Sequence, residues 1–151
     1  MNKKIGWREW LSLPELGIPA IKAKVDTGAR TSALHAYFVE PFEEEGTRMV
    51  RFGIHPIQKK TDFEIVCTAK IKDERPVTDS GGHREMRFVI ESEVEFMGER
   101  WPVELTLTNR DTMKFRMLLG RTALRGRFDV DAGASFIGGR KLQHAYKQRE
   151  L

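Results

Sequence analysis

The residues best suited to chemistry stand at the end of an alternating apolar segment. Ile21-Lys22-Ala23-Lys24-Val25 runs into Asp26-Thr27-Gly28-Ala29-Arg30-Thr31-Ser32-Ala33-Leu34. A carboxylate at a strand end, followed by a small hydroxyl residue and a glycine, is a good general acid or base. Gly28 lets backbone come close, and Thr27 can brace the turn through its hydroxyl. The same tripeptide also suits a plain Asx turn, in which the aspartate closes on its own backbone. Taken alone, Asp26 fits either reading. Far downstream, Phe115-Arg116-Met117-Leu118-Leu119-Gly120-Arg121-Thr122-Ala123-Leu124 joins an apolar strand, a Gly-Arg pair and a short helical stretch.

Other chemistries lack their residues. His35, His55, His83, His144 and Cys67 show no His-Glu-x-x-His or Cys-x-x-Cys spacing for zinc. There is no Gly-x-x-x-x-Gly-Lys-Ser/Thr loop for ATP and no Gly-x-Ser-x-Gly elbow for a serine nucleophile. No metal and no cofactor are expected. A second Asp-x-Gly-Ala occurs at Asp131-Ala132-Gly133-Ala134. An internal dyad of Asp26 and Asp131 would need two lobes and a longer chain, and the apolar Gly-Arg strand occurs once. Residues 131–133 are read instead as a hairpin turn.

The elements that must position Asp26 are strands. From Met86 the even positions run Met86, Phe88, Ile90, Ser92, Val94, Phe96, with Glu85, Arg87, Glu91, Glu93 and Glu95 opposite, a half-buried strand. Met97-Gly98-Glu99-Arg100 turns the chain into a second run with Trp101, Val103, Leu105 and Leu107 on one face, which makes an antiparallel hairpin. Val50, Phe52 and Ile54 alternate with Met49 and Arg51, and residues 63–69 are a further strand candidate. Glycines and prolines punctuate these runs at turn-like intervals. Only residues 121–125 suit a short helix, which Gly126 ends. Many short strands with regular turns predict one all-β domain over residues 1–151, a closed barrel or sandwich.

Composition narrows the class. At 151 residues, 40% hydrophobic and 32% charged, the chain suits a globular domain with its own core. No apolar run approaches the ~20 residues of a membrane-spanning helix, and no apolar stretch follows the basic start, so a cytoplasmic location is expected. The lone Cys67 suits a reducing compartment. The net charge of +4 and pI of about 9.3 come without a compact basic run interleaved with aromatics, so nucleic acid is not an expected partner.

Asp26-Thr27-Gly28-Ala29 after an apolar strand, with Leu118-Leu119-Gly120-Arg121 and Leu124 far downstream, resembles the retroviral-type aspartic proteases (retropepsins). Between them, Asp79-Ser80-Gly81-Gly82-His83 and the long hairpin resemble their flap and the strands after it. The longer match, residues 25–36 with 118–122, is similar to a bacterial branch labelled ATP-dependent zinc protease. Together the resemblance covers nearly the whole chain. It implies a closed acid-protease barrel with one short C-terminal helix, and a homodimer in which each protomer supplies one Asp26. Two carboxylates about 3 Å apart share a proton and titrate as a pair. One takes a proton from water while the other donates to the scissile carbonyl. The resemblance further implies that Thr27, Gly28 and Ala29 support the dyad and bind a peptide or protein substrate, and Arg30 beside them is expected to join that substrate site. Gly81 and Gly82 would form a flap, and Gly120 and Arg121 would hold the site.

Two departures matter. Retroviral members usually carry an aspartate after Asp-Thr-Gly-Ala that pairs with the arginine of Gly-Arg. Here that position is Arg30, so Arg121 needs another carboxylate, which the sequence does not identify. Arg30 also suggests acidic or glutamate-rich substrates, and the bacterial branch is often encoded beside an enzyme that adds glutamates to a ribosomal protein. The alternative is a non-catalytic module of the same fold that binds acidic peptides. Residues 38–60 exceed what the compact retroviral protease requires and are read as an inserted hairpin.

Overall fold

The computed structural model describes residues 2–58, 60–78, 81–109 and 114–146. The chain opens with β1 (Lys3–Leu13), whose Ile5, Leu11 and Leu13 are fully buried. A 3-10 turn at Pro14–Leu16 reverses it into the antiparallel β2 (Ile18–Asp26), followed by β3 (Ser32–His35). Next come β4 (Phe38–Glu44), β5 (Thr47–Ile54) and β6 (Ile65–Lys70), then the antiparallel run β7 (Asp73–Thr78), β8 (Arg84–Phe96) and β9 (Glu99–Thr108). β10 (Met117–Gly120), the helix α1 (Arg121–Leu124), β11 (Phe128–Ser135) and a 3-10 turn at Lys141–His144 complete it. The fold is mostly β with one short helix, and among the described residues no helix is long and apolar enough to cross a membrane.

Local sequence explains the hairpins. The β4–β5 and β8–β9 connections are two-residue turns, Glu45-Gly46 and Met97-Gly98, and all four residues have positive φ, between 51° and 80°. Such turns match the twist of the strands they join, and glycine at the second position adopts them without strain.

The larger sheet has eight strands in the order β11-β1-β2-β10-β3-β9-β8-β7, and Ser12 of β1 also pairs with Glu95 of β8. The strands from β1 round to β8 therefore form a ring joined at a single residue pair, with β11 and β7 extending beyond it. This meets the expected closed architecture in part: the seam is one bridge, not a continuous ladder. A second sheet, β4-β5-β6, has three strands. The inserted segment thus contains the expected hairpin, but it also recruits β6. Val50, Phe52 and Ile54 of the insertion, with Cys67 of β6, share one core with Leu13, Ile18, Ile90 and Leu105. Each such fully buried aliphatic or aromatic side chain contributes about 1.5–3 kcal/mol, so the insertion is part of what holds the fold.

The alternation fails at one end of β8. Met86 is 60% exposed although it shares the period of buried Ile90 and Val94, while Arg87 on the opposite face is buried. Thr106 and Thr108, opposite the apolar face of β9, are buried as well. The strand runs past the core there, so its apolar face lacks a covering layer. Asp131 corrects another expectation. Residues 131–133 are not a hairpin turn but lie within β11, where Asp131 pairs in parallel with Gly6 and its Oδ1 accepts the Gly133 N–H at 3.0 Å. The local Asx contact read as a turn is real; the strand direction around it is set by pairing with β1.

Candidate active site

β10 lies between β2 and β3, parallel to the first and antiparallel to the second. The two consecutive strands are thereby held apart, and the connection 27–31 must arch over the end of β10. The pairing sets Gly120 beside Asp26 and Leu119 beside Val25. Apolar Leu119 and Val25 are buried below, which fixes the height at which Asp26 emerges.

The arch is tied from beneath. Arg121 N–H donates to the Ala29 carbonyl at 2.8 Å, and Thr122 N–H donates to that of Arg30 at 3.2 Å. The Thr122 hydroxyl donates to the same Arg30 carbonyl at 2.8 Å. Gly120 N–H donates to Ser32 Oγ at 3.0 Å. A Cβ on Gly120 would lie 2.8 Å from the Thr31 carbonyl carbon, so only glycine permits this approach.

Half-buried Asp26 uses its Oδ1 to accept the Gly28 N–H at 2.9 Å, and its carbonyl accepts the Ala29 N–H at 3.2 Å. The Asx turn is therefore present, and it orients the carboxylate. Oδ2 has no hydrogen bond among the described residues and is available to a reacting group. Thr27 is exposed, and its hydroxyl likewise has no partner among the described residues. Arg30 is exposed too, leaving its guanidinium open to an anionic ligand.

Among the described residues, the partner of Arg121 is not a carboxylate. Its Nη1 lies 3.3 Å from the Gly28 carbonyl and 3.5 Å from that of Thr27. The guanidinium clasps the arch by its backbone, with long and correspondingly weak hydrogen bonds. It also borders an open groove of about 480 Å³ shared with Thr27, Arg125, Phe128, Asp129 and Ala132. Arg121 and Arg125 against the single Asp129 bias that groove toward anions.

Thus Asp26, Thr27, Gly28, Ala29, Arg30, Gly120 and Arg121 lie together at the arch. Gly81 and Gly82 lie at the tip of the β7–β8 hairpin, and Asp79 and Ser80 fall outside the described residues. Ser32 and Thr122 are supporting residues whose roles the sequence reading did not assign. Their one available signal was a hydroxyl residue close to each motif. Among the described residues no three His, Cys, Asp or Glu side chains gather in a metal-binding group.

Comparison with known proteins bears on this geometry. A family model described as retropepsin-like aspartic endopeptidase RimB matches residues 4–141. The chain is 49% identical over 137 residues to a Shewanella pealeana protein named probable alpha-L-glutamate ligase, and 47% identical over 137 residues to one of that name from Parasynechococcus marenigrum. These alignments cover 91% and 89% of the chain; the chain spans about 30% of the length of the curated relatives it matches. In fold it is similar to Lpg0085 of Legionella pneumophila, a protein of unknown function, with a TM-score of 0.73 at 24% identity, covering 91% of this chain and 99% of that one.

Proposed function

The chain belongs to the RimB-like family of retropepsin-like aspartic endopeptidases, and from that premise we propose that it hydrolyses peptide bonds in a homodimer whose two Asp26 carboxylates form the dyad. The observation that carries this reading is the tied arch, which presents Oδ2 of Asp26 while Oδ1 is held by Gly28. One protomer supplies a single such carboxylate, and water activation without a metal needs a partner that shares its proton. The exposed Thr27 hydroxyl, beside Asp26, suits a hydrogen bond across the twofold axis. In the shared-proton state the ionised carboxylate removes a proton from water. The protonated one then donates to the carbonyl oxygen as the water adds, so no covalent enzyme intermediate forms.

Acidic or glutamate-rich protein tails are the substrate class that the charge favours. Arg30, Arg121 and Arg125 stand around the arch and its groove. The relatives' name concerns glutamate ligation. A domain sharing a polypeptide with a glutamate ligase would meet glutamate-bearing chains. A cytoplasmic location suits such a role. The same arginines favour a second reading, a module that binds acidic peptides without cutting them.

The test is mass-spectrometric detection of cleavage in a mixed peptide pool with glutamate-rich members, from about pH 4 to 7. Wild type and Asp26→Asn are compared at high and low protein concentration. Cleavage by wild type alone, falling on dilution, supports the dimeric dyad. Binding of acidic peptides by both proteins with cleavage by neither supports the module.

A further inference from the structure

Resting on the endopeptidase reading, with the β7–β8 hairpin as flap, we propose that Arg87 is a positioning residue that locks the flap arm to the floor beneath Asp26. The lock is a buried chain of hydrogen bonds. Gly120, paired with Asp26, donates its N–H to Ser32 Oγ at 3.0 Å. The Ser32 carbonyl accepts from Thr106 Oγ1 at 3.3 Å, and Thr106 Oγ1 accepts from Arg87 Nη1 at 3.3 Å. Arg87 Nε donates to Glu85 Oε1 at 2.6 Å, and Thr108 Oγ1 donates to that oxygen at 2.7 Å. The Thr106 hydroxyl has one proton, given to Ser32, and a lone pair, given to Arg87. Arm and floor therefore converge on Ser32, the arm donating to its carbonyl through Thr106 and the floor donating to its hydroxyl through Gly120.

Burial argues that this chain has a task. Ser32, Thr106 and Arg87 are 0%, 2% and 8% exposed, whereas Met86 beside Arg87 is 60% exposed. A hairpin arm left to hydropathy alone would turn the methionine in and the arginine out. Desolvating a guanidinium is unfavourable unless its donors find partners, and here Glu85 takes the Nε donor and Thr106 one on Nη1. Arg75 on β7 shows the ordinary alternative. Its side chain is 40% exposed and pairs with Asp73 and Glu104. The Arg87 chain, unlike the contacts of Arg75, reaches Ser32 and, through it, Gly120. The arm between Glu85 and Arg87 is thereby held at a set position relative to Asp26, which leaves bending to the Gly81-Gly82 tip.

The experiment combines residue-resolved amide exchange with kinetics on Arg87→Met, Thr106→Val, the double variant and the control Arg75→Met. The lock predicts exchange at least about tenfold faster both at residues 84–87 and at Gly120 and Arg121 for Arg87→Met and for Thr106→Val. The double variant should be no worse than either single, and Arg75→Met should act on the hairpin alone. On a cleaved peptide, KM should rise as kcat falls. A merely structural defect would lower the active fraction and leave KM unchanged. Faster exchange confined to the hairpin, or an unchanged KM, overturns the proposal. Should Arg87→Met fail to fold, Thr106→Val decides alone, since it keeps the volume and removes the node. If wild type cleaves no peptide, the endopeptidase reading fails, while the exchange data still decide the lock.

Discussion

Gly120 and Ala29 are packed so closely that a Cβ on the glycine would lie 2.9 Å from the alanine carbonyl oxygen. That same oxygen accepts the Arg121 N–H at 2.8 Å. The obstacle is backbone on both sides, so no side-chain rotation relieves it. Gly120→Ala should therefore destabilise by about 2–3 kcal/mol, the upper range for an inserted methyl group. Urea unfolding measures it. A midpoint within error of wild type would mean the arch is looser than described.

Arg121 holds the arch through carbonyls, not through a carboxylate, at 3.3 and 3.5 Å. Contacts this long and this exposed add little to stability, so Arg121→Met should cost no more than about 1 kcal/mol. Catalysis should fall much further, because the Thr27 and Gly28 carbonyls lose their clasp next to Asp26. Equal losses in folding and turnover would mean the arginine is structural only.

Glu9 is fully buried, yet it accepts backbone N–H bonds from Gly6 at 2.7 Å, Ile137 at 3.0 Å and Gly138 at 3.1 Å. It joins the irregular stretch of β1 to the turn after β11. Glu9→Gln points an amide N–H at one of these donors and should cost about 2–3 kcal/mol. Thermal or urea denaturation reads this directly; a near-neutral substitution would show that the turn re-forms around the amide.

Cys67 is buried, with its thiol donating to the Leu16 carbonyl at 3.3 Å. Burial pushes its pKa from 9.0 up to about 12. The folded state thus holds the proton over a range where the unfolded chain releases it. The stabilisation is complete below about pH 9 and is lost as pH rises toward 12, by up to about 1.4 kcal/mol per pH unit. Stability against pH for wild type and Cys67→Ala should diverge across that window. Native protein should also resist iodoacetamide at pH 8.

Much of the fold is local and therefore legible in residue order. Strand periodicity in 86–107, the Gly46 and Gly98 turns and the short helix before Gly126 depend on neighbours a few residues away. The Asp26-Thr27-Gly28 turn is local as well: Oδ1 meets the Gly28 N–H two residues on. What residue order could not show is how distant segments meet. Arg121 binds carbonyls of residues 27 and 28 because β10 inserts between β2 and β3, a pairing that no spacing encodes. Asp131 carries the same local Asx signal as Asp26, yet parallel pairing with Gly6 places it inside a strand. Arg87 is buried and Met86 exposed because tertiary contacts with Thr106 outweigh alternation where β8 leaves the core. Sequence alone determined the strands, the turns and the reactive tripeptide, since these follow from backbone preference and nearest-neighbour hydrogen bonding. That Arg121 meets the carbonyls of residues 27 and 28, and Arg87 the hydroxyl of Thr106, was decided by the tertiary structure, because those partners lie many residues away and only strand pairing brings them together.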